Sequence, residues 1–316
     1  MGTPLIETRH LKKYFKTRSG MLHAVDDVNI SIDEGKTLGV VGESGCGKST
    51  LGRVIIRLID ATEGEVLYRG NNILEYSKHE MKDLRKDLQI IFQDPFSSLN
   101  PRMTVSQLIA EPIKVCKTLT NKDEISMRVF ELMEIVGLAE RYVNAYPHEL
   151  DGGRRQRIGI ARALALNPKF IVCDEPVSAL DVSIQAQILN LMMDLQDEMG
   201  LTYMFITHDL SVVKHISNEI VVLYLGTCVE KAETKELFAN PLHPYTKALL
   251  SAIPIPDISC RKEIIPIQGE VTSPINPKPG CRFASRCPHA MDKCLGQDIP
   301  LKEISPGHFV SCVLYE

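Results

Sequence analysis

The pattern of apolar and polar positions predicts an alternation of short strands and helices. Residues 5–8 and 28–32 alternate with a period of two, which predicts two early strands separated by a polar stretch at residues 16–20. Compact apolar runs of strand length, typical of a buried sheet, follow at residues 38–41, 170–173, 202–206 and 220–224.

Helical spacing dominates the segments between these runs. A helix is predicted at residues 49–58, mostly helical structure at residues 81–164, and another helix at residues 184–199. Within the second segment, residues 128–136 have helical spacing, and Gly137 is suited to the C-terminal cap. Strand–loop–helix repetition predicts a largely parallel α/β sheet with helices on both faces and a helical insertion that forms a subdomain.

The composition and the periodicity of the sequence change after about Pro254. Prolines and glycines become frequent, the periodicity fades, and four of the nine cysteines fall in the last 36 residues. We expect a separate small C-terminal module here, and we find no internal repeat.

Composition narrows the possible functions. The 316 residues are 44% apolar and 24% charged, as in an ordinary globular protein. A net charge of −4 gives no reason to expect nucleic-acid binding, which usually needs a basic domain or stripe. No stretch reaches the roughly 18 apolar residues that span a bilayer, and residues 1–15 lack a signal-peptide core. We therefore expect a cytosolic protein that meets a membrane only through a partner.

Residues 42–50, GESGCGKST, fit the phosphate-binding pattern G-x-x-x-x-G-K-[ST] between a predicted strand and a predicted helix. Glycines let successive backbone N–H groups point into one concavity that binds anions, and the helix N-terminus adds positive charge. Lys48 would contact the β- and γ-phosphates, and the Ser49 hydroxyl would bind Mg²⁺. A chance glycine turn is the simpler interpretation, but the strand–loop–helix context argues against it.

Two adjacent carboxylates complete the predicted phosphate site. The apolar run at residues 170–173 leads directly into Asp174 and Glu175, at the end of the strand where open α/β sheets bind ligands. Asp174 would hold Mg²⁺ through water, and Glu175 would orient or deprotonate the attacking water.

Further motifs carry a family resemblance. Residues 149–157, ELDGGRRQR, resemble the signature motif of ABC ATPases; Gln93, residues 178–181 and His208 resemble their Q-loop, D-loop and switch histidine. Order and spacing resemble ABC ATPase domains over residues 4–250. Residues 92–105 and 240–250, with Cys281 and Cys287 in the tail, look like the oligopeptide/dipeptide-importer branch.

The resemblance implies a P-loop ABC ATPase core of class α/β with a helical signature subdomain and a small irregular C-terminal Cys-rich module. We place the nucleotide-binding domain at residues 1–254, its helical subdomain at about residues 95–165, and the C-terminal extension at residues 255–316. Two such subunits would sandwich two ATP molecules head to tail, each between one phosphate loop and the partner's signature.

The resemblance also implies a set of site residues. Glu175, His208, Lys48 and Gln93 would be catalytic, with Gln93 joining Ser49 and Asp174 around Mg²⁺. Phe15, or alternatively Tyr14, would stack on adenine. The remaining residues expected to contact nucleotide are Gly42, Glu43, Ser44, Gly45, Cys46, Gly47, Thr50, Asp151, Gly152, Gly153, Arg154 and Asp181.

The signature departs from the usual Leu-Ser-Gly-Gly-Gln, because Asp151 and Arg154 replace the serine and the glutamine. A carboxylate near phosphate repels it, although Arg154 could offset part of that charge. We expect a catalytically weaker composite site here and a second, non-identical ATPase subunit as the partner.

Cys281, Cys287, Cys294 and Cys312 are four thiols that could hold a 4Fe–4S cluster or a tetrahedral Zn²⁺. Spacing without C-x₂-C knuckles, together with the resemblance, favours iron–sulfur, while His308 could replace one thiol around zinc. Four small buried thiols without metal are the simpler alternative. A metal would stabilise a segment too small to build its own core.

The resemblance implies two transmembrane permease subunits and, indirectly, an extracytoplasmic binding protein, with the chain on the cytoplasmic face of the inner membrane. Oligopeptides or dipeptides are the expected cargo; nickel or another small solute is the alternative. A soluble ABC ATPase of repair or translation is disfavoured because no tandem cassette or long coiled coil is present. A redox protein is disfavoured because no electron-transfer site accompanies the tail.

Overall fold

The structure is a computed structural model that describes residues 3–94, 96–253, 264–270 and 272–315. Strands and helices alternate along most of the chain. In chain order they are β1 (Ile6–Thr17), β2 (Gly20–Val28), β3 (Ser31–Ile32), β4 (Thr37–Val41), α1 (Lys48–Ile55), β5 (Glu63–Tyr68), β6 (Asn71–Asn72), α2 (Lys78–Leu84), β7 (Leu88–Ile91), α3 (Val105–Cys116), α4 (Lys122–Ile135), α5 (Gly152–Leu164), β8 (Phe170–Asp174), α6 (Val182–Met199), β9 (Thr202–Ile206), α7 (Leu210–Ile216), β10 (Glu219–Tyr224), β11 (Thr227–Glu233), α8 (Thr234–Ala239), α9 (Pro244–Ser251), β12 (Lys302–Ser305) and β13 (His308–Val310).

The chain divides into two compact units. Unit 1 comprises Met1–Glu75 with Phe205–Glu316, and unit 2 comprises Tyr76–Met204, so the division falls within β9. The domain boundary that we place at residue 254 does not coincide with this division and stays a prediction. No helix in the described part of the chain has the length and apolarity needed to cross a bilayer.

One sheet of unit 1 has the strand order β2-β1-β5-β6, with β3 beside β1. The strand predicted at residues 5–8 is confirmed but continues to Thr17, because β1 and β2 form a long antiparallel hairpin interrupted by register shifts around Lys13. The polar stretch at residues 16–20 is the end of this hairpin. The strand predicted at residues 28–32 is wrong in extent, since Val28 ends β2 and only β3 follows.

A second group of strands in unit 1 has the order β12-β13-β11-β10-β4. β10 lies parallel to β4, whose five residues are all buried, as predicted for these two apolar runs. β13 pairs antiparallel with β11, so the C-terminal segment adds strands to this sheet. Phe283 is 1% exposed, with its ring centroid 5.2 Å from that of Tyr224 and 5.4 Å from that of Tyr245. The described strands of the tail and this aromatic side chain therefore pack into unit 1, and the separate module that we expect at residues 255–316 stays a prediction.

Unit 2 contains α2 to α6, and its strands β7 and β8 are parallel. The stretch expected to be mostly helical is broken into separate helices, with β7 among them. Thr104 begins α3 with a reciprocal capping box, and the Asn121 side chain caps α4. At the other end of α4 the C-cap residue is Val136, and Gly137 follows it with φ +64°, the left-handed conformation that glycine favours.

Candidate active site

The phosphate-loop sequence connects β4 to α1 in unit 1. Gly42 has φ +154° and Gly47 has φ +103°, conformations that side chains rarely adopt. A Cβ would lie 2.2 Å from the Leu223 carbonyl oxygen at Gly42 and 1.9 Å from the Ala24 carbonyl oxygen at Gly47. Both glycines are therefore required by the fold as well as by the phosphate-binding pattern.

Lys48 begins α1 and lies inside this loop. Its Nζ donates to the carbonyl oxygens of Gly42 at 2.7 Å and of Glu43 at 3.0 Å, and the residue is only 4% exposed. Burial raises the pKa of the neighbouring Cys46 thiol. The loop thus curls around an ammonium group, which gives it a concentrated positive charge. Residues 44 and 45 are exposed, and Ser49 and Thr50 stand partly buried in the first turn of α1.

Glu43 connects the loop to two distant segments that the sequence reasoning missed. Its backbone N–H donates to the Tyr245 hydroxyl at 2.8 Å. Its carboxylate accepts from Arg286 Nη1 at 2.7 Å and from Nη2 at 3.2 Å. Neither partner belongs to a phosphate-loop motif, so no pattern in the sequence marks this contact.

The predicted switch histidine follows the end of β9. The Thr207 N–H donates to the Val40 carbonyl oxygen at 3.1 Å, two residues before the phosphate loop begins. His208 itself is exposed, and Asp209 caps α7 through the N–H of Ser211 at 2.8 Å. Unit 1 thereby places the histidine at the same strand ends from which the loop emerges.

In unit 2, β8 ends in the two predicted carboxylates. Asp174 is 1% exposed. Glu175 is partly buried and has φ +49°, which is uncommon for a residue other than glycine and is a form of backbone strain often found at functional sites. Gln93 Nε2 donates to Glu175 Oε2 at 2.8 Å. The structure therefore brings together the Q-loop glutamine and the carboxylate expected to activate water.

The signature segment begins α5, with Asp151 as its N-cap. The Asp151 carboxylate accepts from the Arg154 N–H at 2.8 Å and pairs with the Arg154 guanidinium. The Arg154 guanidinium also lies 4.9 Å from the ring centroid of Tyr142. Both charged side chains are exposed. Asp151 therefore acts as a helix cap, and its charge is paired within the same turn.

The two signature glycines pack against the D-loop and α6. A Cβ on Gly152 would lie 3.1 Å from Leu180 Cδ2, and one on Gly153 would lie 2.7 Å from Ile184 Cγ2. Asp181 is the N-cap residue of α6 and makes no side-chain capping bond. The glycines thus permit a close approach between two of the motifs that were predicted separately.

The aromatic candidates for adenine stacking lie in β1 of unit 1. The Tyr14 ring stacks on His23 with centroids 3.8 Å apart, and its hydroxyl donates to Asp26 at 2.5 Å. Phe15 is partly buried, with Lys13 Nζ 4.9 Å from its centroid. Tyr14 is engaged within unit 1 on one face and at its hydroxyl, which favours Phe15 of the two.

The four tail cysteines line one small cavity of about 10 Å³ together with His243 and His289. Burial, with smaller contributions from the other three thiols, raises the pKa of Cys281 to about 11. Nevertheless, no group of three or more His, Cys, Asp or Glu side chains among the described residues is arranged to hold a metal ion.

His308, the alternative ligand expected for zinc, is engaged elsewhere. Its Nε2 lies 2.8 Å from Glu230 Oε1 and its Nδ1 lies 3.4 Å from Glu236 Oε1. The imidazole is 1% exposed. This expectation is therefore wrong: both ring nitrogens of His308 face carboxylates, and His308 does not line the cysteine cavity.

Comparisons with known proteins agree with this architecture. Residues 25–178 match the family model for ABC transporters, and residues 229–294 match that for the oligopeptide/dipeptide transporter C-terminal region. The chain is 52% identical to the oligopeptide transport ATP-binding protein OppF of Salmonella typhimurium, over 98% of this chain and 96% of the relative. It is 51% identical to AppF, an oligopeptide transport ATP-binding protein of Bacillus subtilis, over 98% and 97% respectively.

A solved structure supports the cassette fold. The dimeric ATP-binding cassette MJ0796, in a post-hydrolysis state bound to ADP and Pi, is 31% identical. It aligns with a TM-score of 0.67 over 72% of this chain and 98% of the cassette. With its phosphate loop, its paired carboxylates and this likeness, the chain belongs to the ABC transporter family as an ATP-hydrolysing subunit that carries the oligopeptide/dipeptide transporter C-terminal region.

Proposed function

We propose that this chain hydrolyses MgATP with a defined division of roles. Lys48 binds the β- and γ-phosphates, Ser49 and Asp174 hold Mg²⁺ with Gln93, and Glu175 is the general base for the attacking water. Bound Mg²⁺ neutralises phosphate charge. The 2.8 Å hydrogen bond from Gln93 to the strained Glu175 carries this assignment, because it holds the carboxylate beside a side-chain amide that can bind both the metal ion and water.

In this proposal, His208 contacts the γ-phosphate, and Phe15 rather than Tyr14 stacks on adenine. The loop residues around Lys48 supply backbone N–H groups. Asp151, Gly152, Gly153, Arg154 and Asp181 then meet the nucleotide of a partner subunit. The support is the exposure of the Asp151–Arg154 pair at the start of α5, where a helix N-terminus favours phosphate.

The assignment of Glu175 is tested with Glu175→Gln in the assembled transporter. Removing a general base lowers kcat by about 10²–10⁴-fold, while ATP binding is retained because the phosphate loop is intact. Glu198→Gln, an exposed carboxylate in the same unit, serves as the control and should retain kcat. Equal kcat for Glu175→Gln and the unchanged chain would contradict the role of Glu175.

The cargo we propose is oligopeptides or dipeptides, taken up through two membrane permease subunits from an extracytoplasmic binding protein, with the chain peripheral on the cytoplasmic face. The match of residues 229–294 and the names of the relatives support this. Uptake of labelled di- to hexapeptides in cells lacking the chain, restored by the wild type and not by Glu175→Gln, tests it. Restored nickel uptake without peptide uptake would favour the alternative cargo.

We also propose a second, non-identical ATPase subunit, because the Asp151 carboxylate cannot donate a hydrogen bond to phosphate as a serine hydroxyl can. The site that faces this signature would be the weaker one. Co-purification with the membrane subunits, followed by mass spectrometry of the intact complex, tests the pairing; two copies of this chain in a fully active complex would contradict it.

For the tail, we propose that Cys281, Cys287, Cys294 and Cys312 bind a metal that stabilises the segment, as a 4Fe–4S cluster or, alternatively, as zinc. All four thiols line one cavity, which supports the donor set. A space of about 10 Å³ holds little more than one water-sized atom, so the sulfurs must separate to admit a cluster. Iron, sulfide and zinc content of anaerobically purified protein distinguishes the two, and absence of all three would contradict metal binding.

A further inference from the structure

Glu43 of the phosphate loop contacts the C-terminal tail. Glu43 makes three kinds of contact. Its carbonyl oxygen accepts a hydrogen bond from Lys48 Nζ, and its backbone N–H donates to the Tyr245 hydroxyl. Its carboxylate accepts hydrogen bonds from both terminal nitrogens of Arg286. A displacement of Glu43 therefore moves one of the two carbonyl groups that hold the Lys48 ammonium.

Arg286 is built into the fold as a rigid donor. The residue is 8% exposed, and its Nη1 also donates to the Tyr224 hydroxyl at 3.2 Å. A bidentate arginine–carboxylate pair fixes orientation as well as distance, which a lysine at the same place could not do. Because the pair is largely shielded from water, removing one partner costs more than removing an exposed ion pair.

The turn that carries Arg286 is itself held tightly. Ala284 to Arg286 form a 3₁₀ turn between Cys281 and Cys287, and the turn is closed by the bond from the Arg286 N–H to the Phe283 carbonyl oxygen at 2.9 Å. Phe283 anchors it among Tyr224 and Tyr245. The tail thus presents the guanidinium from a fixed backbone.

We propose that Arg286 is a positioning residue for ATP binding: by holding Glu43, it keeps the phosphate loop in the conformation that places Lys48 for the phosphates. The simpler interpretation is that the ion pair only docks the tail. The two differ in what they affect, since positioning acts on nucleotide affinity whereas docking acts on stability. The inference rests on the role of Lys48 proposed above.

The test measures KM and kcat for ATP, equilibrium binding of a fluorescent ATP analogue and thermal unfolding in the assembled transporter. Arg286→Met should raise KM by about tenfold, which corresponds to the loss of one charge-assisted hydrogen bond. It should leave kcat within about twofold of the value for the unchanged chain. Arg286→Lys should recover only part of the loss. Glu43→Gln should resemble Arg286→Met, and the double variant should be no worse than Arg286→Met alone, because both substitutions break one contact.

Arg282→Met is the matched control. Arg282 is another arginine of the tail, with an 11% exposed side chain, but it pairs with Asp26 and the Leu225 carbonyl oxygen instead of the phosphate loop. We expect it to lower the melting temperature and to leave KM unchanged. Two results would overturn the proposal. One is a double variant in which the KM increases of Glu43→Gln and Arg286→Met multiply. The other is a rise in KM for Arg282→Met equal to that for Arg286→Met.

Lys48→Met separates this inference from the proposed site. If Lys48→Met leaves ATP binding intact, the proposed phosphate site fails. If Lys48→Met abolishes binding while Arg286→Met leaves KM unchanged, the site stands and the positioning role of Arg286 is overturned.

Discussion

The phosphate loop of unit 1 and the signature segment of unit 2 are both short loops that lead into a helix, but different contacts hold them. The phosphate loop encloses the buried Lys48 and is held at Glu43 by groups far away in sequence. The signature has exposed charges that pair with each other within one turn. We therefore expect the loop to tolerate little change at Gly42, Glu43, Gly47 and Lys48, and the signature to tolerate new charges but not bulk at its glycines.

The largest effect should come from adding a methyl group inside the phosphate loop. In Gly47→Ala, a Cβ 1.9 Å from the Ala24 carbonyl oxygen and a left-handed backbone should together lower the free energy of unfolding by about 2–5 kcal/mol. ATP binding should be lost with it. Gly35→Ala is the control, because Gly35 has φ +74° but no atom within 4 Å of its added Cβ. Chemical denaturation and nucleotide titration measure both, and equal losses in the two variants would contradict the steric argument.

The matching experiment in the signature segment is Gly153→Ala. Its Cβ would meet the stiff, β-branched Ile184 at 2.7 Å, so we expect a loss of about 1–3 kcal/mol and reduced ATPase activity. Gly159 lies in the same helix with no atom within 4 Å of an added Cβ. Gly159→Ala should raise stability by about 0.5–1 kcal/mol through helix propensity. A Gly153→Ala variant as stable as Gly159→Ala would show that the close approach to α6 is dispensable.

The third prediction concerns the pH dependence of the stability of unit 1, through His243. Burial lowers the pKa of His243 from 6.5 to about 3, while its Nδ1 accepts from the Tyr245 N–H and caps α9. The unfolded chain binds the proton near pH 6.5 and the folded chain only near pH 3, so the free energy of unfolding should fall as the pH drops between these values. His243→Asn retains a capping oxygen but does not titrate. Denaturation midpoints at pH 7 and pH 5 should therefore change less in His243→Asn, and equal slopes would assign the acid sensitivity to other groups.

The smallest expected effect is in the signature charges. Asp151→Ser keeps an N-cap acceptor, because serine and aspartate cap helices about equally well, so stability should change by less than about 0.5 kcal/mol. Turnover of the assembled transporter should rise a few-fold, since a hydroxyl can donate to phosphate. ATPase rates at saturating nucleotide measure this. Unchanged turnover would mean that the Asp151–Arg154 pair already functions as the usual signature does.

Local patterns in the sequence predict the parts of the fold in which one segment determines its own structure. The run at residues 38–41, the glycine loop and the start of α1 are contiguous, so β4, the loop and the helix could be predicted together. The β1–β2 hairpin was underestimated because its register shifts around Lys13 break the period of two. β12 was missed because all four of its residues are exposed and give no apolar signal.

The candidate site follows the same rule. The positions of Lys48, Asp174 and Glu175 at the ends of a helix and a strand could be predicted because each lies within a local motif. The left-handed backbone of Glu175 could not, because nothing in the local sequence indicates a positive φ there. The bond between Gln93 and Glu175 joins two predicted motifs and confirms only that they are neighbours. The contact between Arg286 and the phosphate loop could not be predicted, because two residues so far apart in sequence produce no local pattern.

The Glu43–Arg286 contact also has a consequence for synthesis on the ribosome. It joins residues 243 positions apart in sequence. At roughly 5–20 residues per second, the phosphate loop waits on the order of 10–50 seconds before the ribosome has made the arginine that holds it. A chain truncated before Arg286 would carry every nucleotide-binding motif and still lack this contact.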